Sequence, residues 1–179
     1  MTPSIDRAEA AAFSGYRPEK FPFPYTPDSP AYRALREGLY RAVTTACQKG
    51  RRTFLCGMAT GFDTLAGLQV LKARGAGYGA QLVCAVPYAG VADHWPRPDR
   101  YAFDHLCREA SAVITLSPRY FTGCFHARNR WLIDHAGLLI CYHCGVPGGT
   151  AYTVRYAKSK GVPIQNLAEE GPEQLTLAL

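Results

Sequence analysis

From Thr53 onward the sequence repeats one alternation: a short apolar run, a turn marked by glycine or proline, then a helix-length segment. The runs are Thr53–Cys56, Leu82–Val86, Ala112–Leu116, Leu138–Tyr142 and a short one opening at Val162-Pro163-Ile164. Runs this short and continuously apolar suit parallel strands buried on both faces by the helices between them. An antiparallel sheet would instead show alternating polar and apolar positions. Helices are predicted from about Asp63 to Arg74, Arg100 to Ala110, His126 to His135 and Thr150 to Lys160. Upstream, Ser29-Pro30 places a capping hydroxyl before a proline at the first helical position. Leu35, Leu39, Val43 and Cys47 then recur every four residues until Gly50 ends the helix. Ala10-Ala11-Ala12-Phe13 favours helix by propensity, but the turn at Gly15 argues for a first strand there. The expectation is one α/β domain over residues 1–179, a Rossmann-like three-layer sandwich whose mostly parallel sheet has about six strands. Residues 1–9 and 168–179 are expected to be peripheral tails.

Composition agrees with a folded domain. The chain has 179 residues, 47% hydrophobic and 19% charged, which excludes a disordered tail or a charged coiled coil. The start carries Asp6, Arg7 and Glu9 where a signal peptide would need an apolar core. No apolar run reaches membrane-spanning length. Seven cysteines in no secreted-framework spacing point to a reducing, cytoplasmic setting. The net charge of +6 permits an anionic partner, although a solvated basic helix face explains it as simply.

In a parallel sheet the loops after the strands gather on one edge, together with the N-termini of the following helices. Their free N–H groups and positive dipole ends attract anions. On that edge this sequence places Gly15, Tyr16 and Arg17 after the first strand, and Gly57, Met58, Gly61 and Asp63 after the second. Pro87 and Tyr88 follow the third, Arg128 and Asn129 lie beyond the fourth, and Gly148, Gly149 and Thr150 follow the fifth. Two glycine-rich turns and several arginines on one edge meet the needs of phosphate binding: close backbone approach and fixed positive charge. Asp63 also suits the role of helix N-cap. Arg128 is expected in the first turn of its helix, aimed at a phosphate. Tyr16 and Tyr88 are the candidates for stacking on a base, and Trp95 and Trp131 read as packing residues. Cys141, His143, Cys144, Cys124 and His126 are metal-ligand types, but no second CxxC supports a site, and none is expected.

Phe13-Ser14-Gly15-Tyr16-Arg17-Pro18-Glu19-Lys20 resembles the N-terminal signature of the YpsA-like proteins of the SLOG superfamily, named after the Smf/DprA and LOG proteins. Gly57-Met58-Ala59-Thr60-Gly61-Phe62-Asp63-Thr64 resembles that family's second-strand loop. Arg128-Asn129 opening a helix, Asp134 near its end, and Gly148-Gly149-Thr150 complete the likeness, which runs from about Phe13 to Ile164. The resemblance implies a Rossmann-like fold and the binding or sensing of a nucleotide or nucleotide-derived ligand, such as ADP-ribose, with no cofactor required.

Two alternatives remain open. One is an N-glycosidic hydrolase like the LOG phosphoribohydrolases, which carry Pro-Gly-Gly-x-Gly-Thr-x-x-Glu. Laid on Pro147, that pattern puts Arg155 at the catalytic glutamate and Thr150-Ala151 in place of x-Gly. A guanidinium cannot stabilise a developing oxocarbenium ion, so Asp63 or Asp134 would have to serve. The other is DprA-like binding of single-stranded DNA, which the charge permits, although no basic run interleaves with aromatics as a stacking groove would need. The sequence assigns no catalytic residue and leaves a homodimer open.

Overall fold

A computed structural model describes residues 4–170. The first strand, β1 (Ala10–Ser14), is followed by helix α1 (Pro30–Gln48), and the alternation then runs unbroken. It comprises β2 (Thr53–Cys56), α2 (Phe62–Gly75), β3 (Gln81–Val86), α3 (Arg97–Glu109), β4 (Ala112–Thr115), α4 (Cys124–Asp134), β5 (Leu139–Cys141), α5 (Gly149–Ser159) and β6 (Ile164–Asn166). All six strands are parallel, in the order β4-β3-β2-β1-β5-β6. This is the α/β, Rossmann-like sheet expected.

The triple alanine becomes a strand because tertiary pairing overrides propensity. β1 is central: Ala12 is in register with Leu55 of β2 on one side and Leu139 of β5 on the other. Ala10, Ala11 and Ala12 are fully buried. On one face, Leu39 and Val43 of α1, Val70 of α2 and Leu106 of α3 share a core with Phe13, Phe54 and Leu82. On the other face, Leu132 of α4 covers Ala12, Leu55 and Val83, while Val154 of α5 packs with Leu139 and Cys141. The chain leaves β1 toward β2, β3 and β4, then crosses to β5 on the opposite flank. The strand order therefore reverses between β1 and β5, the place where open α/β sheets leave a crevice at their carboxyl edge.

Helix starts show where sequence reading falls short. Ser29 caps α1 as expected, its hydroxyl accepting the Tyr32 N–H at 3.3 Å with Pro30 following. Asp63 is not a helix cap. Gly61 holds that position, and α2 begins at Phe62. α3 begins at Arg97 and α4 at Cys124, each earlier than its apolar pattern suggests. Arg128 therefore sits in the second turn of α4 rather than the first.

Of the expected tails, residues 1–3 and 171–179 lie outside the described residues. Ile5 packs against the second core face, and the Arg7 side chain donates to the Ala136 carbonyl at 3.0 Å. Among the described residues, no helix is long and apolar enough to cross a membrane.

Candidate functional site

A cavity of about 270 Å³ opens at the carboxyl edge between β1 and β5. Four segments wall it: Phe13–Arg17 with Lys20, Ala59 with Asp63, Phe125–Asn129, and Val146–Thr150. Its inner end is polar and charged. Arg128 is only 6% exposed and Asp63 only 5%.

The Arg128 guanidinium is held by shape. Its Nε donates to Asn129 Oδ1 at 2.8 Å. A Cβ at Gly57 would lie 2.6 Å from Nη1 and 2.8 Å from Cζ, so only glycine leaves room for this cation at the end of β2. Among the described residues no carboxylate lies within 4 Å of the guanidinium, and its terminal nitrogens have no protein acceptor. Arg128 and Asp63 both line the cavity. Asp63 has a partner of its own: Oδ2 accepts the Ala59 N–H at 3.1 Å. Burial raises the Asp63 carboxyl above its ordinary value, against the pull of Arg128, the Ala59 N–H and Arg17. Burial likewise lowers the Arg128 pKa, and Asp63 opposes that shift. A guanidinium stays charged even so, which leaves a buried cation with donors to spare.

The opposite wall is backbone. Gly148, with φ of +140°, is the N-cap of α5, and Gly149-Thr150 open that helix. A Cβ at Gly148 would lie 2.7 Å from Lys20 Nζ, so the ammonium lies directly over the helix entrance. Unsatisfied N–H groups, the dipole end and a lysine thus converge on one point. The short 3₁₀ turn Pro18–Lys20 brings that lysine in from the proline-rich segment.

The cavity gathers Gly15, Tyr16, Arg17, Asp63, Arg128, Asn129, Gly148, Gly149 and Thr150 from the residues singled out in the sequence. Others stand behind it. Gly57 clears space for Arg128. Gly61, with φ of +84°, passes so close to the loop after β1 that a Cβ would lie 2.6 Å from the Tyr16 carbonyl. Met58 is buried, and among the described residues it alone has positive φ (63°) without being glycine. Such backbone is sparsely populated and survives only where its surroundings hold it.

Pro87 and Tyr88 are outside the cavity. They follow β3, two strands away from the β1–β5 crevice, and Tyr88 packs edge-on against Tyr120 and Phe125. Tyr16 lines the cavity but is not a stacking platform. Its ring is 2% exposed and wedged against Phe21 and Tyr142. Its hydroxyl accepts the Cys144 N–H at 2.8 Å and the Val146 N–H at 3.2 Å, and lies 3.2 Å from His143 Nδ1. It ties the loop after β1 to the loop after β5.

The sequence reading did not place Lys20, Phe125 or His126 among the ligand-binding residues, and weighed His126 only as a metal-ligand type. Phe125 lies under the Arg17 guanidinium, 5.9 Å from its ring centroid, and exposed His126 stacks on Tyr152 at 4.2 Å. Gly123 was the available signal. It is the left-handed cap, φ +92°, from which α4 starts, and it puts both rings in the first turn. Asp134 accepts the Tyr156 hydroxyl at 2.9 Å away from the cavity, and Arg155 is exposed on α5. Among the described residues no three His, Cys, Asp or Glu side chains group to hold a metal.

Two solved structures share the fold. DNA processing protein A of Streptococcus pneumoniae matches at TM-score 0.59 and 16% identity, over 88% of this chain and 49% of that one. The Helicobacter pylori protein, described for its single-stranded DNA binding mode, matches at TM-score 0.60 and 16% identity, over 94% and 71%. This chain thus spans about half the pneumococcal protein. No curated protein matches it. The YspA SLOG family matches residues 11–167, spanning β1 through β6 and every wall of the cavity, and the chain belongs to that family.

Proposed function

We propose that this chain binds a small phosphate-bearing ligand of the nucleotide class in the β1–β5 cavity. The observation that carries the reading is Arg128: a buried cation, with unfilled donors, facing a helix N-terminus across a polar cavity. Desolvating such a charge is costly, and a phosphate between Arg128 and the α5 entrance would offset the cost. The cavity lies just under the usual range for small-ligand clefts, roughly 300–1,000 Å³. It suits a phosphate and its sugar, and an ADP-ribose-like ligand would extend past Phe125 and His126. Membership of a SLOG family supports nucleotide or nucleic-acid recognition in general. The seven free thiols favour a cytoplasmic setting.

A second reading is single-stranded DNA. The rim favours it, since exposed Arg17, Lys20 and His126 line the same cavity as Phe125, and these residue types grip a strand. Hydrolysis in the LOG manner has less support, because the position of the catalytic glutamate is Arg155, exposed outside the cavity.

The test is a titration of wild type and Arg128→Met with AMP, ADP-ribose and a short oligonucleotide at two salt concentrations. The small-ligand reading expects saturable nucleotide binding that Arg128→Met weakens roughly ten- to a hundredfold. Tight oligonucleotide binding, indifferent to Arg128 and falling by a log–log slope of about −0.7 per phosphate, would replace it with the DNA reading.

A further inference from the structure

Away from the cavity, three cysteines meet under the α1–α3 face of the sheet. Cys56 in β2 and Cys84 in β3 are register partners on neighbouring strands. Both are fully buried in the core. Cys107, from the last turn of α3, packs onto the same core and is partly exposed. The Cys84 thiol points at this turn, its Sγ 3.8 Å from the Leu106 carbonyl.

The three thiols are not equivalent. Cys56 Sγ donates to the Asp63 carbonyl at 3.2 Å. Its backbone is also fixed beside that of Cys84 by strand pairing, with Cα atoms in register. Strands about 4.8 Å apart hold in-register Cβ atoms farther apart than the mean of about 3.8 Å for a disulfide. Cys107 approaches Cys84 from a helix, whose last turn can yield where a paired strand cannot. The Cys84 and Cys107 thiols act on one another, and they differ in access: Cys84 is fully buried, whereas Cys107 is partly exposed, so an oxidant in solvent reaches Cys107 first.

We propose that Cys84 and Cys107 form a peroxide-sensitive thiol pair, with Cys107 the thiol attacked first and Cys84 the resolving thiol. The Cys107 thiolate attacks an oxygen of hydrogen peroxide. The O–O bond breaks, hydroxide leaves and takes up a proton as water, and Cys107 becomes a sulfenic acid. The Cys84 sulfur then displaces the sulfenic oxygen, which departs as a second water with the Cys84 proton. One S–S bond forms. The two sulfurs lose two electrons, and the peroxide gains them. The pair would staple β3 to the end of α3, and thiol exchange with a reducing dithiol would restore it.

The experiment uses the full chain carrying Cys144→Ser, which removes the exposed thiol. Protein is treated with hydrogen peroxide, denatured, alkylated, digested and examined by mass spectrometry. The expected result is a linked pair of peptides containing Cys84 and Cys107, an intact mass lower by two hydrogens, and loss of Cys84 alkylation. Dithiothreitol should restore that alkylation, and in Cys107→Ser Cys84 should remain alkylated after peroxide. Should the serine variant fail to fold, Cys107→Ala serves, and the linked-peptide measurement needs neither. Equal alkylation of Cys84 before and after peroxide would overturn the proposal. So would a Cys56–Cys84 link, or Cys107 oxidised to sulfinic acid beside a free Cys84.

Discussion

Arg128 and Arg100 are the same residue put to opposite uses. Arg100, on α3, is partly exposed and reaches two carboxylates, Asp104 at 3.2 Å and Asp93 at 3.4 Å. Arg128, on α4, is buried and has none within 4 Å among the described residues. Water screens the first arrangement, so its pairs hold little energy. The second is the costly one, with two buried charges kept apart, Arg128 bound to an amide and Asp63 to a backbone N–H. Stability alone would bring them together or replace them with apolar groups. An anion seated between Arg128 and the α5 entrance, as proposed above, would complete the arrangement.

Arg128→Met tests that contrast most severely. It should cost about 1.5–3 kcal/mol of nucleotide affinity, the worth of a charge-assisted contact, measured by calorimetric titration. The melting temperature should hold or rise, since an unpaired buried charge is gone. Gly57→Ala should come next. Its methyl group can be accommodated only if the guanidinium moves, and a long flexible side chain can do so without unfolding the protein. We expect roughly a tenfold loss of affinity, about 1.4 kcal/mol, with a near-normal melting curve.

Asp63→Asn sharpens the comparison through pH. The folded protein raises the Asp63 pKa above 3.8, so it holds this proton more tightly than the unfolded chain does. The resulting stability is complete below the unfolded value and is lost as pH rises through the folded one. Asparagine can still accept from Ala59 but does not titrate. The stability difference between variant and wild type, followed by urea unfolding, should therefore move in the variant's favour as pH rises through that window. A flat difference would mean that Asp63 keeps an ordinary pKa. Arg100→Ala is the smallest change, below about 1 kcal/mol of stability and with no effect on nucleotide affinity.

Much of this was legible in the chain, for definite reasons. Strands such as Leu82–Val86 declare themselves because burial on both faces demands unbroken apolar runs, and the carboxyl-edge loops follow from strand polarity. The order of the strands does not follow. Nothing local in Pro87-Tyr88 says that β3 lies two strands from the crevice, whereas the position of β1 beside β5 decides everything about the cavity. Helix starts were blurred where the cap is a glycine, as at Gly61 and Gly123, because a glycine marks a turn without saying which residue after it opens the helix. Tyr16 looked like a platform for a base because one sequence cannot show that its hydroxyl is already engaged.

That hydroxyl should set the rate at which the loop beside the cavity opens. The Cys144 and Val146 amides belong to a loop outside the regular strands, yet both end on one phenol from the far side of the crevice. Their deuterium uptake should report a single shared opening, with both amides exchanging together at the rate at which the phenol lets go. A molecule seated against Gly148 would slow the two clocks equally, the Cys144 amide included, although Cys144 is no part of the cavity wall. The loop would thus register occupancy as a change of rate before any change of shape.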